Sequence, residues 1–181
     1  ISFFIIFVFI LINILLKFLI QPVRQTSVSM LPDIKENSLI FISPLDVNPK
    51  RGDVFLLKPK VEKKDSLLNM IVTFFTGQQI SLNQDNDFPE TKSHLRRVVG
   101  MPGDTIYMSD YVLYIKPKGE KHFLTEFELI DKTYNVTLYS TLSGWDDEIG
   151  VKGSFDRFVL GPDEYFLLGD NRTSCLDSRL W

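Results

Sequence analysis

The apolar positions of this chain fall into one long block followed by many short ones. Residues 1–20, ISFFIIFVFILINILLKFLI, are interrupted only by Ser2, Asn13 and Lys17. A helix of that length, rising about 1.5 Å per residue, covers about 30 Å, the thickness of a bilayer core. The block therefore predicts a transmembrane anchor over 1–20, with Lys17 near enough to its end to snorkel to the headgroups. A cleavable signal peptide would have a shorter apolar region and a small-residue cleavage site, whereas the flank here is Gln21-Pro22-Val23-Arg24. A buried core helix would need a larger protein around it, because the block is apolar on all sides.

The remaining apolar runs are short and bounded by turn residues. Residues 38–43 (SLIFIS) and 53–58 (DVFLLK) predict two strands, separated by Pro44, Pro49 and Arg51-Gly52-Asp53. His94 to Val99 predicts a strand closed by the turn Gly100-Met101-Pro102-Gly103-Asp104. Residues 105–108 and 111–115 predict a hairpin. Residues 123–160 predict further strands, and 164–168 a last one. Residues 59–93 form an insertion with polar ends and an apolar middle at 67–75. That middle reads either as an element packed on the core or as a loop dipping into the membrane surface, and Met30 is expected to lie toward the membrane with it. The fold class is mainly β: a β-rich domain over 21–181 behind one N-terminal transmembrane helix.

Composition narrows the function classes. A net charge of −3 and a pI near 5.4 argue against a nucleic-acid binder, which would carry a basic surface. The single cysteine, Cys175, excludes an intrachain disulfide. Phe is abundant at 15 residues and Ala is absent, which favours strands over helices after the anchor. Lys17 and Arg24, at the C-terminal end of the apolar block, would place the following domain in the cytoplasm by the positive-inside tendency.

Candidate chemistry starts at Thr26-Ser27-Val28-Ser29-Met30-Leu31-Pro32-Asp33. In an extended segment Ser27 and Ser29 point to the same side, and Pro32 favours an extended Leu31. A serine held there could be a nucleophile; the same eight residues read equally as a polar linker.

Four stretches then line up in order: Ser27-Val28-Ser29-Met30-Leu31-Pro32, Arg51-Gly52-Asp53-Val54, Arg96-Arg97-Val98-Val99-Gly100-Met101-Pro102-Gly103-Asp104, and Gly169-Asp170-Asn171-Arg172-Thr173-Ser174-Cys175-Leu176-Asp177-Ser178-Arg179-Leu180-Trp181. Together, behind an apolar anchor, they resemble bacterial type I signal peptidases, whose blocks read roughly S-G-S-M-x-P-T, R-G-D-I/V, K-R-V-I-G-x-P-G-D and G-D-N-R-x-x-S-x-D-S-R-x-W. The resemblance implies a membrane-anchored serine endopeptidase that removes signal peptides from exported preproteins after a small residue. Its β-rich catalytic domain would lie on the extracytoplasmic side of the plasma membrane, against the charge tendency above. No cofactor or metal is implied; the partners implied are preprotein signal peptides and the lipid bilayer, and not nucleic acid. The family's catalytic pair is a serine nucleophile and a neutral lysine base. By position, Ser29 matches the nucleophile and Ser27 the hydroxyl that helps hold the oxyanion. Asp177 and Arg179 match a supporting pair, and Asp170 and Asn171 a bracing turn.

Three positions depart from the pattern. Arg96 stands where the family has its lysine, Cys175 where a serine hydrogen-bonds that lysine, and Val28 where a glycine separates the two serines. An arginine stays charged near neutral pH and cannot take a proton. His94, two residues before Arg96 on the predicted strand, faces the same way and is a possible base, although the offset of about 6.5–7 Å exceeds hydrogen-bond reach. The expected function is signal peptidase I activity; the alternative is a catalytically impaired homologue that binds preproteins or an active peptidase partner. The family's chain continues past the Trp, so the C-terminal end is expected to be truncated here. A repressor-type self-cleaving protease would need a DNA-binding domain where this chain has its apolar block.

Overall fold

The computed structural model describes residues 2–45, 48–57, 68, 71–72, 94–138 and 153–180. The chain divides into two compact units: Ile1–Gln25, Asn37–Asn48 and Leu56–His94 make the first, and Thr26–Glu36, Pro49–Phe55 and Leu95–Trp181 the second.

In the first unit the apolar block forms helix α1, Ser2–Phe18. The buried Asn13 side chain donates to the Phe9 carbonyl one turn back at 3.0 Å, so the amide costs the helix little. The Leu19 and Ile20 N–H groups both turn back to the Leu15 carbonyl. The chain then enters strand β1, Gln21–Arg24, which pairs antiparallel with β2, Leu39–Ile42, from Gln21 opposite Ile42 to Arg24 opposite Leu39. The described helix is shorter than the expected 1–20 block. The helix has 17 residues, about 25 Å at 1.5 Å per residue, where a bilayer core needs about 30 Å. No helix among the described residues is long and apolar enough to cross a membrane. Residues Gln21 to Arg24, read as a flank, are instead a strand.

The second unit holds the core. Strands β5, Thr105–Ser109, and β6, Val112–Lys116, form the predicted hairpin, with Asp110 and Tyr111 both at positive φ (48° and 65°) as a two-residue turn between right-twisted strands requires. Two further strands complete an antiparallel sheet in the order β7-β6-β5-β8, with β7 at Leu124–Thr125 and β8 at Phe155–Val159. Alternation along the hairpin sends Ile106, Met108, Leu113 and Ile115 inward, onto Val99, Ile130, Leu160, Phe166 and Leu168. On the opposite face Tyr107 and Tyr114 stack at 4.7 Å. A second sheet runs β3-β4-β9, with β3 at Val54–Leu57, β4 at His94–Gly100 and β9 at Phe166–Leu168.

Residues 123–160, read as further strands, carry β7 and β8 and also a short helix α2, Glu126–Leu129, whose Glu128 carboxylate accepts the Thr125 N–H at 2.7 Å. One expectation fails here. Met30 does not face a membrane: it is 0% exposed, a core residue. The 67–75 segment lies outside the described residues, apart from Leu68, Ile71 and Val72, and so does most of the 59–93 insertion.

Candidate active site

Residues 27–34 are bent and turned, not extended as expected. The Leu31 N–H reaches the Val28 carbonyl at 3.2 Å and the Ile34 N–H the Met30 carbonyl at 2.9 Å, and the Leu31–Pro32 bond is cis. The two hydroxyls meet all the same: Ser27 Oγ lies 3.0 Å from Ser29 Oγ. Met30, the residue after Ser29, is fully buried.

Strand β4 brings Arg96 to the same point. Its Nη1 donates to Ser29 Oγ at 3.0 Å and also to the Leu95 carbonyl. Its Nε donates to the Leu176 carbonyl at 2.7 Å, and Nη2 donates to that carbonyl too. Ser29 and Arg96 are 4% and 2% exposed. Burial pushes the Arg96 pKa below its ordinary value, and the Asp177 carboxylate opposes that shift. The buried Cys175 thiol is pushed up to about 12, mainly by burial, so it stays protonated at neutral pH. Its Sγ contacts the Leu176 carbonyl at 3.6 Å. Chemically, Ser29 Oγ has a fixed cationic donor at its side where a neutral amine would have been an acceptor.

The segment after β9 clamps the serine loop. The Asn171 N–H donates to the Ser29 carbonyl at 3.0 Å, and Asn171 Nδ2 to the Val28 carbonyl at 3.2 Å. Gly169 permits this approach: a Cβ there would stand 2.7 Å from the Ser29 carbonyl oxygen and 2.1 Å from Cys175 Sγ. Asp177 accepts from Arg179 Nε at 2.8 Å and Nη2 at 2.7 Å, and from the Gly169 N–H at 3.2 Å. Asp170 takes Arg97 in a two-point contact, Nε at 2.8 Å and Nη2 at 2.6 Å. Thus the structure brings Ser27, Ser29, Arg96, Cys175, Asp170, Asn171, Asp177 and Arg179 together in the second unit. His94 belongs to the first unit, partly buried at the start of β4.

Several charged residues around this site were missed by reading the sequence alone. Arg97 also donates to the Gly52 carbonyl at 2.9 Å, and its guanidinium lies 4.1 Å from the Tyr134 ring. The side chains of Arg172 and Glu126 are both fully buried and pair at 2.8 and 2.6 Å, and the Tyr134 hydroxyl donates to the same carboxylate. Arg51 ties the first turn to the second through Asp104 at 2.7 Å. One signal was available for Arg97. Two adjacent arginines inside an apolar strand must point to opposite faces, and two buried cations each demand partners.

The whole chain, residues 1–181, matches the family described as signal peptidase, peptidase S26. It belongs to the type I signal peptidase family. Relatives include a signal peptidase I P of Bacillus subtilis subsp. natto, 28% identical over 140 residues (69% of this chain and 68% of that protein). The signal peptidase I of Pseudomonas aeruginosa is 26% identical over 196 residues, 93% of this chain but 57% of that protein. A signal peptidase I U of Bacillus subtilis is 35% identical over 95 residues, 52% of this chain and 43% of that protein. This chain thus spans only part of these longer relatives.

Proposed function

We propose that this chain acts on the signal peptides of exported preproteins as a membrane-bound serine endopeptidase, with Ser29 as nucleophile and Ser27 as an oxyanion donor. The observation that carries the reading is the convergence of Ser27 Oγ and Arg96 Nη1 on Ser29 Oγ, each at 3.0 Å. A hydroxyl fixed between two polar groups on a clamped loop is preorganised for attack. The residue at the base position is the weak part. Deprotonating Arg96 at pH 7 from its ordinary value of 12.5 would cost about 7 kcal/mol, so hydrolysis is slow. Asp170, Asn171, Asp177 and Arg179 act by holding the loop, not by touching substrate. The bilayer is the second partner, through α1, with the β-rich domain on the extracytoplasmic side of the plasma membrane.

The same N–H contact favours a second reading, in which the protein binds preproteins, or an active peptidase partner, without cleaving. A preprotein-cleavage assay on the unchanged chain, Arg96→Lys, His94→Ala and Ser29→Ala separates them. Slow cleavage that rises with Arg96→Lys and vanishes with Ser29→Ala supports the peptidase. No cleavage by the unchanged chain with a gain in Arg96→Lys supports the binding homologue. Cleavage lost in His94→Ala would move the base to His94, and robust cleavage that survives it would contradict the role given to Arg96.

A further inference from the structure

The serine loop, residues 27–34, is held at two places. Asn171 takes its first half, through the Val28 and Ser29 carbonyls. Its far end is taken through Asp33. Asp33 Oδ1 accepts from Asn135 Nδ2 at 3.1 Å and Asp33 Oδ2 from the Asn135 N–H at 3.2 Å, a two-point contact across 102 positions. Arg97 Nη2 lies 3.9 Å from the same Oδ2. The two holding segments are laced to each other. The Thr137 N–H donates to the Asp170 carbonyl at 2.9 Å and the Arg172 N–H to the Thr137 carbonyl at 3.0 Å. Arg97 ties them again, with Asp170 on its nitrogens and the Tyr134 ring against its guanidinium. Residues 134–137 and 170–172 thus make one frame, and Arg97 joins it to β4, the strand that carries Arg96.

We infer that Asp33 and Asn135 are positioning residues for Ser29: a clasp that fixes the far end of the serine loop and so sets where the Ser29 hydroxyl stands against Arg96. The loop's own bonds, from the Leu31 N–H to the Val28 carbonyl and from the Ile34 N–H to the Met30 carbonyl, shape its turns without tying them to the frame. A loop tied at one end swings about that end; tied at both, it holds its register. A misplacement of about 1 Å in a reacting group costs about 10² in rate, so a fraction of that shift is worth tenfold. The pair acts through the loop, not on the reacting atoms. Its role in cleavage rests on the peptidase reading above. The clasp on the loop does not.

The test takes Asp33→Ala, Asn135→Ala and the double variant of the full chain in detergent through two measurements, preprotein-cleavage kinetics and native-state hydrogen exchange read by mass spectrometry. The Asp33 side chain is 30% exposed and Asn135 is exposed, so these changes leave the core intact. Asp33→Ala removes both contacts; Asn135→Ala removes one, since its backbone N–H remains. Exchange in the 26–36 segment should therefore quicken about tenfold in Asp33→Ala, the usual worth of hydrogen bonds to a charged acceptor, and less in Asn135→Ala. The hairpin 105–116 should keep its protection. In cleavage, kcat should fall about tenfold in Asp33→Ala with KM unchanged. The double variant should match Asp33→Ala alone, because both contacts share one carboxylate. Asp33→Asn, which keeps an acceptor, should recover part of the loss. Single losses that multiply in the double variant contradict the pairing. Unchanged loop exchange overturns the clasp, and faster exchange in hairpin and loop alike reduces it to general destabilisation. A raised KM at constant kcat would make the pair a substrate contact and overturn the positioning role. If the unchanged chain cleaves nothing, the peptidase reading falls, while quicker exchange confined to the loop still upholds the clasp.

Discussion

A serine hydroxyl attacks a carbonyl only as fast as a neighbour removes its proton, and that help is worth about 10²–10⁴ in rate. Arg96 Nη1 donates to Ser29 Oγ, so this neighbour stabilises negative charge on the oxygen but cannot accept the proton. Arg96→Lys should raise preprotein cleavage by about tenfold or more, because a lysine buried at that position can lose its charge. An unchanged rate would refute the base deficit, unless Cys175→Ser added to it restores the gain. Ser27→Ala should lower any cleavage by about 10²–10³ through loss of one donor, while Ser29→Ala removes it entirely. Identical loss in both would contradict the division of roles. Cys175 offers a chemical check: 6% exposed and with its thiol pushed up to about 12, it should resist alkylation at pH 8 in the native chain and react on unfolding. The residues of this site were legible because four short blocks stand in a recognisable order. What Arg96 does there follows from its chemistry alone.

Strand β4 carries the site because its alternation sends Arg96 to the serine loop and Arg97 to Asp170. The Arg97–Asp170 pair is buried on both sides, and removing one partner of such a pair typically costs about 3–5 kcal/mol. Asp170→Ala should lower urea-unfolding stability by that order; a loss under about 1 kcal/mol would show that the pair is not braced as described. Gly169→Ala should displace the serine loop, since no Cβ fits beside the Ser29 carbonyl, and binding should weaken together with stability. A pH dependence follows from Asp53, which the Lys132 ammonium at 2.6 Å holds below the usual carboxylate value of 3.8. With the folded pKa below the unfolded one, the contribution is full above about pH 5 and drains away as pH falls through the folded value. Asp53→Asn should flatten the acid limb of a circular-dichroism stability curve below pH 4, and an unchanged limb would count against it. Period-two patterning and turn residues made β2 to β6 and β9 legible. Strand β1 was not, because Gln21–Arg24 is held by pairing with residues far along the chain and includes a proline. The turn at 27–34 was missed for a similar reason: Asn171 holds its backbone across 143 positions, and local propensity does not register such a contact.

Across the whole molecule the legible part was the mainly β class and the order of the blocks. The buried ion pairs were not legible, because their partners stand far apart, 73 positions for Arg97 and Asp170 and 46 for Arg172 and Glu126. Charge pairing at that range leaves no periodic trace. The apolar block was legible as a helix. Within α1, Phe3, Phe4, Ile5, Ile6 and Phe7 are 55–83% exposed, and Ile10 to Ile12 are 43–48% exposed. An exposed apolar surface of this kind is costly in water, at about 25 cal/mol per Å², and a patch so large marks a lipid or protein contact. The full chain should accordingly stay in the membrane pellet after a carbonate wash. Ile6→Asp combined with Ile10→Asp should release it, because each acidic side chain near the middle of an inserted helix costs about 2.5–3.5 kcal/mol. Recovery of the unchanged chain in the supernatant would sink membrane residence. Retention of the double variant would show that something other than α1 holds it there. Protease added to intact spheroplasts then tests the side: digestion of the β-rich domain places it outside, and protection would mean that Lys17 and Arg24 had kept it in the cytoplasm.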